Sequence, residues 1–283
     1  MSEKTYTWTP TQNQRLRELG MDETVLTREF PTAPERDKTF QGMEKQRVKE
    51  EKAKLHQRLA DGGASRMDAL KARLTEALTA EGFIRVTTPT LISKHALAKM
   101  TVDENHPLFN QVYWVSNKQC LRPMLAPNLY SLMMDFSRQK KWPVRFFEIG
   151  SCFRKESDGS RHNSEFTMLN LVEMGLPEEE RAANLKRWAE LVAKTAGLTD
   201  HEYESEDSKV YGSTLDMVAG PNKVEVASGA MGPHALDDAW GIHDTWVGMG
   251  FGLERLLMIS QGDSYISKWC KNLSYMDGIQ LKI

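Results

Sequence analysis

Two hydrophobic rhythms run along the chain. Met67, Leu70, Leu74 and Leu78 recur every three or four residues, the period of one helix face. Ser65 precedes them as an N-cap with Asp68 three residues on, and Gly82 follows as a stop. The same rhythm predicts helices over 93–100, 127–138, 178–196 (opened by Pro177) and 252–260. A short one over QNQRLRELG is framed by Thr9-Pro10 and Gly20. Alternation of apolar and polar positions predicts strands over 83–88, ending at Pro89, and over 109–115, 144–150, 165–174, 203–208, 214–219 and 223–231. Strands crowd into the second half without regular βαβ alternation. This predicts an α+β fold, a mainly antiparallel sheet flanked by helices. Asp61-Gly62-Gly63-Ala64 breaks the pattern, so 1–64 reads as an N-terminal helical extension and 65–283 as the main domain.

Composition narrows the function. With 37 Lys plus Arg against 39 Asp plus Glu, the 283 residues carry a net charge of −2. Nucleic-acid binding through bulk positive charge is excluded, and any basic contact must be local. One such segment exists: residues 35–58 hold eight basic and five acidic side chains, a local +3. It reads either as a solvated helix face or as a patch for nucleic-acid phosphates. No apolar run is long enough to span a membrane, and the polar start is no secretory signal, so the expected location is cytoplasmic. Cys120, Cys152 and Cys270 are an odd, scattered set, and the histidines show neither HxH nor HExxH spacing. Neither a disulfide framework nor a structural zinc site is expected.

Two stretches carry chemistry. The first is CFRKE at a strand end, then the loop SDGSRHNS and the strand EFTMLNLVEMG. Arg154 and Glu156 are two apart, so on a strand they share a face. A guanidinium suits a phosphate and a carboxylate suits an exocyclic amine; the bland alternative is a surface ion pair. On the returning strand Phe166, Met168, Asn170 and Val172 share one face, and Thr167, Leu169, Leu171 and Glu173 share the other. The second stretch is GMGFGLERLL, with Gly248, Gly250 and Gly252 at alternate positions before an amphipathic helix. Side-chain-free backbone lets a ligand lie flat there, or else makes a tight strand-to-helix joint. Arg255 falls in the first helical turn, a place where a cation is mildly unfavourable unless an anion lies beside it.

Together, FRxE, a loop, HxxxF from His162 to Phe166, and GFGLER about ninety residues later resemble motifs two and three of the class II aminoacyl-tRNA synthetases. Pro89, after a helix and a strand, fits their short motif one. Within the class, LRPMLAPNLY, FEIGSCFRKESDG, EFTMLNLVEMG and GMGFGLERLL resemble the pyrrolysyl branch of the family, from about residue 66 onward. With about 65 residues before the motif-one helix, the chain resembles the stand-alone catalytic form known from some methanogenic archaea, without the separate N-terminal tRNA-binding domain.

The resemblance implies a class II catalytic fold and a site. Arg154 matches the α-phosphate arginine, Glu156 the reader of the adenine amino group, Phe166 the aromatic stacked on adenine. His162 falls near the γ-phosphate, and Arg255 matches the γ-phosphate arginine. Glu225 and Ser228 match the positions that hold Mg²⁺. They are three apart, so a bulge near Gly229 is needed to bring them to one face. The amino-acid pocket maps to Ala126, Leu129, Tyr130, Met133, Met168, Asn170, Val172, Tyr211, Ala230 and Trp246. By spacing alone, the first four are one face of a helix start, which plain core would also explain. Asn170 points to a site, since an amide among apolar groups is costly unless a ligand pairs with it. Lysine is excluded, because its ammonium would enter unpaired, whereas an Nε-acylated lysine such as pyrrolysine offers an amide. Val172 stands where many members have Cys, and Met249 where Ala or Gly is usual.

The expected function is ATP-dependent ligation of pyrrolysine to tRNA(Pyl) by a homodimer, with ATP as substrate and Mg²⁺ as cofactor. The alternatives are a class II synthetase for another bulky amino acid such as phenylalanine, or a synthetase-like binding module without catalysis. Such a module tends to lose a motif arginine, and both are present.

Overall fold

A computed structural model describes residues 5–139, 142–155, 164–208 and 210–281. The chain forms two units, Met1–Gly63 with Ser274–Ile283, and Ala64–Leu273.

The first unit contains α1 (Pro10–Glu18), α2 (Glu23–Leu26) and α3 (Ala33–Asp61). Thr9 caps α1 in a reciprocal capping box with Gln12, with Pro10 opening the helix, as the sequence predicts. Trp8, Leu16, Leu26 and Phe30 are buried together with Phe40 and Met43 against them, giving this unit its own small core. Arg15 meets Glu44 at 2.8 Å and Arg47 donates to the Leu19 carbonyl at 3.1 Å, bracing α3. Within the same unit, Arg58 pairs with Asp277 at 2.7 Å, and Tyr275–Met276 and Ile279–Gln280 form a hairpin.

The second unit begins with α4 (Arg66–Ala80), capped by Ser65 and followed by Gly82 at φ +82°. Leu70, Leu74 and Leu78 are fully buried, each contributing about 1.5–3 kcal/mol of transfer free energy. Seven strands among the described residues form its main sheet: β1 (Ile84–Arg85), β2 (Val144–Phe153), β3 (Glu165–Met174), β4 (His201–Ser208), β5 (Gly212–Ala219), β6 (Val224–Gly232) and β7 (Trp246–Gly252); Leu91–Ser93 and Gln119–Leu121 pair separately. Their order is β1-β2-β3-β7-β6-β5-β4, antiparallel throughout except for the parallel β1–β2 edge. The remaining helices are α5 (Lys94–Lys99), α6 (Ala126–Ser137), α7 (Arg181–Ala196), α8 (Ala235–Asp238) and α9 (Leu253–Ser260).

The sheet separates two environments. On one face Leu169, Leu171, Met217, Met249 and Phe251 pack with α4, α7 and α9 in a dry core around Trp188. The polar handle of that tryptophan donates to Glu173 at 2.7 Å, and Arg145 meets the same carboxylate at 2.7 Å. On the other face the strand positions of opposite parity, among them Met168, Val172, Ala230 and Trp246, join α6 in a second cluster.

Two strand expectations fail. Over 109–115 the chain makes a 3₁₀ turn, Pro107–Gln111, and then only a single bridge from Trp114 to Cys120. Pro107 sits at the first helical position and His106 caps the turn through its side chain, so local chemistry overrides the alternation. Over 83–88 only Ile84–Arg85 pairs as strand, at the edge of the sheet with a neighbour on one side, and Ile84 is exposed.

Candidate active site

A cavity of about 520 Å³ opens on the second face of the sheet. Its floor is built by register. Asn170 of β3 lies opposite Gly250 of β7, with Met168 opposite Gly252 and Val172 opposite Gly248. On the far side of β7, Ser228 faces Gly250 and Ala230 faces Gly248. The alternate glycines therefore fall on the cavity face, between two strands that do carry side chains. A Cβ at Gly250 would lie 2.9 Å from Asn170 Oδ1 and 3.1 Å from its Nδ2, so the amide occupies space that only glycine leaves. A Cβ at Gly252 would meet only ordinary contacts.

The wall comes from α6. Ala126, Leu129, Tyr130 and Met133 project from its first turns into the cavity, joined by Tyr211 and Trp246. All ten positions assigned to the amino-acid pocket line this one cavity. Among its apolar groups Asn170 Oδ1 is buried with no hydrogen-bond partner among the described residues. An unmet buried acceptor costs about 1–3 kcal/mol, a cost that a bound donor removes.

The other end of the cavity is charged. Arg154 follows directly on β2; its Nε donates to the Pro123 carbonyl at 2.9 Å, and its guanidinium carbon sits 5.2 Å from the centre of the Phe166 ring. Arg255, in the first turn of α9, donates to the Glu225 carbonyl at 2.7 Å and lies 3.5 Å from the Glu225 carboxylate. The bulge that Glu225 and Ser228 require exists, but not at Gly229. Met217 pairs with Ala227 and Val218 with Glu225, leaving Val226 as the extra residue. Glu225 and Ser228 thereby oppose Val218 and Asp216, alternate positions of β5, and share a face. Gly229 is instead a close-packing position, since a Cβ there would lie 3.1 Å from Leu185 and 3.2 Å from Met249. Ser228 Oγ donates to Asp216 at 2.6 Å. Burial pushes the Glu225 carboxyl above its ordinary range, Arg255 pulls it back, and Asp216 adds to the rise. Glu156 and His162 lie outside the described residues.

Several lining residues escaped sequence reasoning. Glu254, 2% exposed, takes the Thr167 backbone N–H on both carboxylate oxygens at 2.8 and 3.0 Å. It thereby fixes the strand that carries Phe166 and Met168, and burial raises its carboxyl despite that hydrogen bond. Its place beside Arg255 in GLER was the available signal. Gln111, Met124, Ile266 and Cys270 also line the cavity, with no local pattern to announce them.

The charged end fits a hard, oxygen-loving cation. Glu225 and Ser228 offer a carboxylate and a hydroxyl, and no group of three or more His, Cys, Asp or Glu among the described residues forms a cage. That suits Mg²⁺, which takes few protein ligands and completes its shell with substrate phosphates and water.

Residues 50–276 match the family described as tRNA synthetases class II core domain (F). A crystal structure of pyrrolysyl-tRNA synthetase from Desulfitobacterium hafniense is 48% identical, with a TM-score of 0.90 and full coverage of both chains. A second structure of a pyrrolysyl-tRNA synthetase from that organism is 48% identical, with a TM-score of 0.88, covering 98% of this chain and 96% of that one. The O-phosphoserine–tRNA(Cys) ligase of Methanospirillum hungatei is 27% identical over 60% of this chain. That match takes in 33% of the ligase, so the chain spans about a third of this curated relative's length.

Proposed function

The chain belongs to the class II tRNA synthetase core family, and from that premise we propose that it ligates pyrrolysine to tRNA(Pyl) through an aminoacyl-adenylate. The observation that carries the choice of amino acid is the buried Asn170 Oδ1, without a hydrogen-bond partner among the described residues, beside Ala126, Leu129, Met133, Met168 and Val172 in the uncharged end of the cavity. A substrate amide supplies an N–H for its Oδ1 and a carbonyl for its Nδ2. Phenylalanine would leave that oxygen stranded.

In the first step a carboxylate oxygen of the amino acid attacks the α-phosphorus of ATP, and pyrophosphate leaves. In the second, the 3′-terminal adenosine hydroxyl of the tRNA attacks the acyl carbon, and AMP leaves. Neither step needs a protein nucleophile, so the residues act by positioning and charge neutralisation. Arg154 is assigned to the α-phosphate and Arg255 to the γ-phosphate. Phe166 is assigned to the adenine ring, Glu156 to its amino group, and His162 to the γ-phosphate side. Glu225 and Ser228 would hold Mg²⁺, which when bound neutralises phosphate charge. The 3.5 Å approach of the Arg255 guanidinium to the Glu225 carboxylate supports placing cation and carboxylate at one end of the triphosphate.

The catalytic domain is assigned to 65–283 and the helical extension to 1–64; the Ala64–Leu273 unit supports the first boundary, whereas Ser274–Ile283 group with the N-terminal unit and the family match begins at residue 50. A homodimer is supported by Ile84 and Leu91, exposed on either side of Pro89 in the motif-one region. A cytoplasmic location is part of the same proposal; no helix among the described residues is long and apolar enough to cross a membrane. The deciding experiment is ATP–pyrophosphate exchange with a panel of amino acids. Exchange with pyrrolysine and not with phenylalanine or lysine is expected. Exchange with phenylalanine alone would overturn the assignment.

A further inference from the structure

Behind the pocket wall lies a carboxylate that nothing so far has used. Asp237, in α8, is completely buried. Three donors converge on it: Tyr130 Oη reaches Oδ1 at 3.0 Å, while Trp246 Nε1 and the His234 backbone N–H reach Oδ2 at 2.8 and 2.9 Å. Tyr130 and Trp246 stand on different elements, α6 and β7, and both line the cavity. They meet edge to face, with ring centres 5.8 Å apart.

The rest of the surroundings are shaped around this junction. A Cβ at Gly232 would lie 1.8 Å from Trp246 Nε1, so the indole edge that faces Asp237 fits only beside glycine. Trp240 backs Tyr130 at 5.4 Å, and Lys99 sits 4.0 Å over the Trp240 ring. Burial raises the Tyr130 phenol well above its ordinary value, which keeps the hydroxyl a donor.

Resting on the reading of this cavity as the amino-acid pocket, we propose that Asp237 is a positioning residue that sets the width of the side-chain pocket by tying Tyr130 to Trp246. A buried carboxylate is not a cheap way to fill space, since apolar side chains of similar volume serve packing as well or better. What it does that they cannot is fix two polar ring tips at one point. Without it, a phenol O–H and an indole N–H lose their acceptor in a dry environment and turn toward the nearest polar volume, which is the cavity. At the charged end Arg154 donates to the Pro123 carbonyl and Arg255 to the Glu225 carbonyl, neither acceptor being a member of this cluster. Amino-acid recognition should therefore change while ATP recognition does not.

The test is pyrophosphate exchange by the full chain, with pyrrolysine and a series of Nε-acyl-lysines of increasing acyl size. Asp237→Ala is expected to raise KM for pyrrolysine at least tenfold, to reorder the series by size, and to leave KM for ATP within twofold. Asp237→Asn keeps the shape, with its oxygen toward Trp246 and His234 and its NH₂ toward the phenol oxygen. It is expected to stay within threefold of wild type. An unchanged KM for pyrrolysine in Asp237→Ala, or parallel losses for pyrrolysine and ATP, overturns the inference. If Asp237→Ala does not fold, Tyr130→Phe decides, since it removes only the hydroxyl that reaches Asp237. It should reorder the size series with KM for ATP unmoved, and an unchanged order overturns the inference. A wild type that activates no Nε-acyl-lysine overturns the substrate reading together with the inference. An active wild type with indifferent variants overturns the inference alone.

Discussion

Replacing Asn170 with alanine separates what the fold needs from what the substrate needs. Asn170 Oδ1 is buried with no hydrogen-bond partner among the described residues, with Gly250 beneath the amide and Met168 and Val172 flanking it on the strand face. Removing the amide takes away an unmet acceptor rather than a made hydrogen bond. The space it leaves adjoins an existing cavity of about 520 Å³, so no sealed void is created. The expected effect on stability is therefore neutral to favourable. One kcal/mol corresponds to about 2–4 °C in a unit of this size, so Tm should hold or rise by a few degrees. Binding should change in the opposite sense. Pyrrolysine loses the partner for its buried amide, about 1–3 kcal/mol. That is a roughly 5- to 150-fold fall in kcat/KM. A bulky phenylalanine derivative gains space and strands nothing, so its kcat/KM should hold or rise. Lysine should stay excluded in both proteins, since Ala126, Met168, Asn170 and Val172 bring no carboxylate to the side-chain end. Exchange kinetics for the three substrates, with thermal unfolding of both proteins, provide the measurement. Equal losses for pyrrolysine and the phenylalanine derivative with a lowered Tm would show that Asn170 supports the fold, and the reasoning would fail.

The remaining predictions concern the charged end, α3 and the thiols. Arg154→Ala and Arg255→Ala should each slow adenylation by about 10²–10³, the usual loss for a charge-stabilising donor; near-wild-type exchange in either would refute its role. Lys38, Lys45, Lys49 and Lys52 recur at helical spacing, are exposed, and have no ion-pair partner among the described residues. Reversing Lys45, Lys49 and Lys52 to Glu should weaken tRNA binding and flatten its salt dependence while amino-acid activation is unaffected; an unchanged salt slope would make the stripe a solvated face. Arg47 is best left out of that set, because it braces α3 through the Leu19 carbonyl. Burial pushes the Cys152 thiol up to about 12 and Cys120 up to about 11. A raised folded-state value keeps both thiols neutral below those pH values, so at pH 8 roughly one part in 10³ or less is thiolate. Half-buried Cys270 should then be the one fast-reacting thiol in a native alkylation assay, with all three reacting after unfolding; three fast thiols in the native chain would contradict this.

Much of the architecture was legible because it is encoded locally. Ser65 before the Leu70, Leu74 and Leu78 stripe, and Thr9-Pro10 before α1, state helix starts in residues that touch one another along the chain. The alternation over 165–174 sorted Phe166, Met168, Asn170 and Val172 onto one face of β3 and Leu169 and Leu171 onto the other, since a strand has only two faces. Short segments were less legible. The 109–115 run alternates like a strand, yet Pro107 and the His106 cap turn it, and pairing with a neighbour decides what alternation alone cannot.

By itself the sequence determined the types of the longer elements, the strand face shared by Phe166, Met168, Asn170 and Val172, and the cation in the first turn of α9; with the family resemblance it also called for a bulge, near Gly229. Only the tertiary structure decided that the extra residue is Val226, because register belongs to two strands and neither one contains it. The same holds for Gly250, whose missing Cβ is required by an amide on the neighbouring strand, and for Glu254, which grips the backbone 87 residues away. Asp237 is the clearest case. Its partners Tyr130 and Trp246 lie 107 and 9 residues off on separate elements, so nothing along the chain marks this aspartate until folding brings three donors to it. A side chain's local role is set by its neighbours in sequence. Its role in a site is set by neighbours in space, which long-range packing alone supplies.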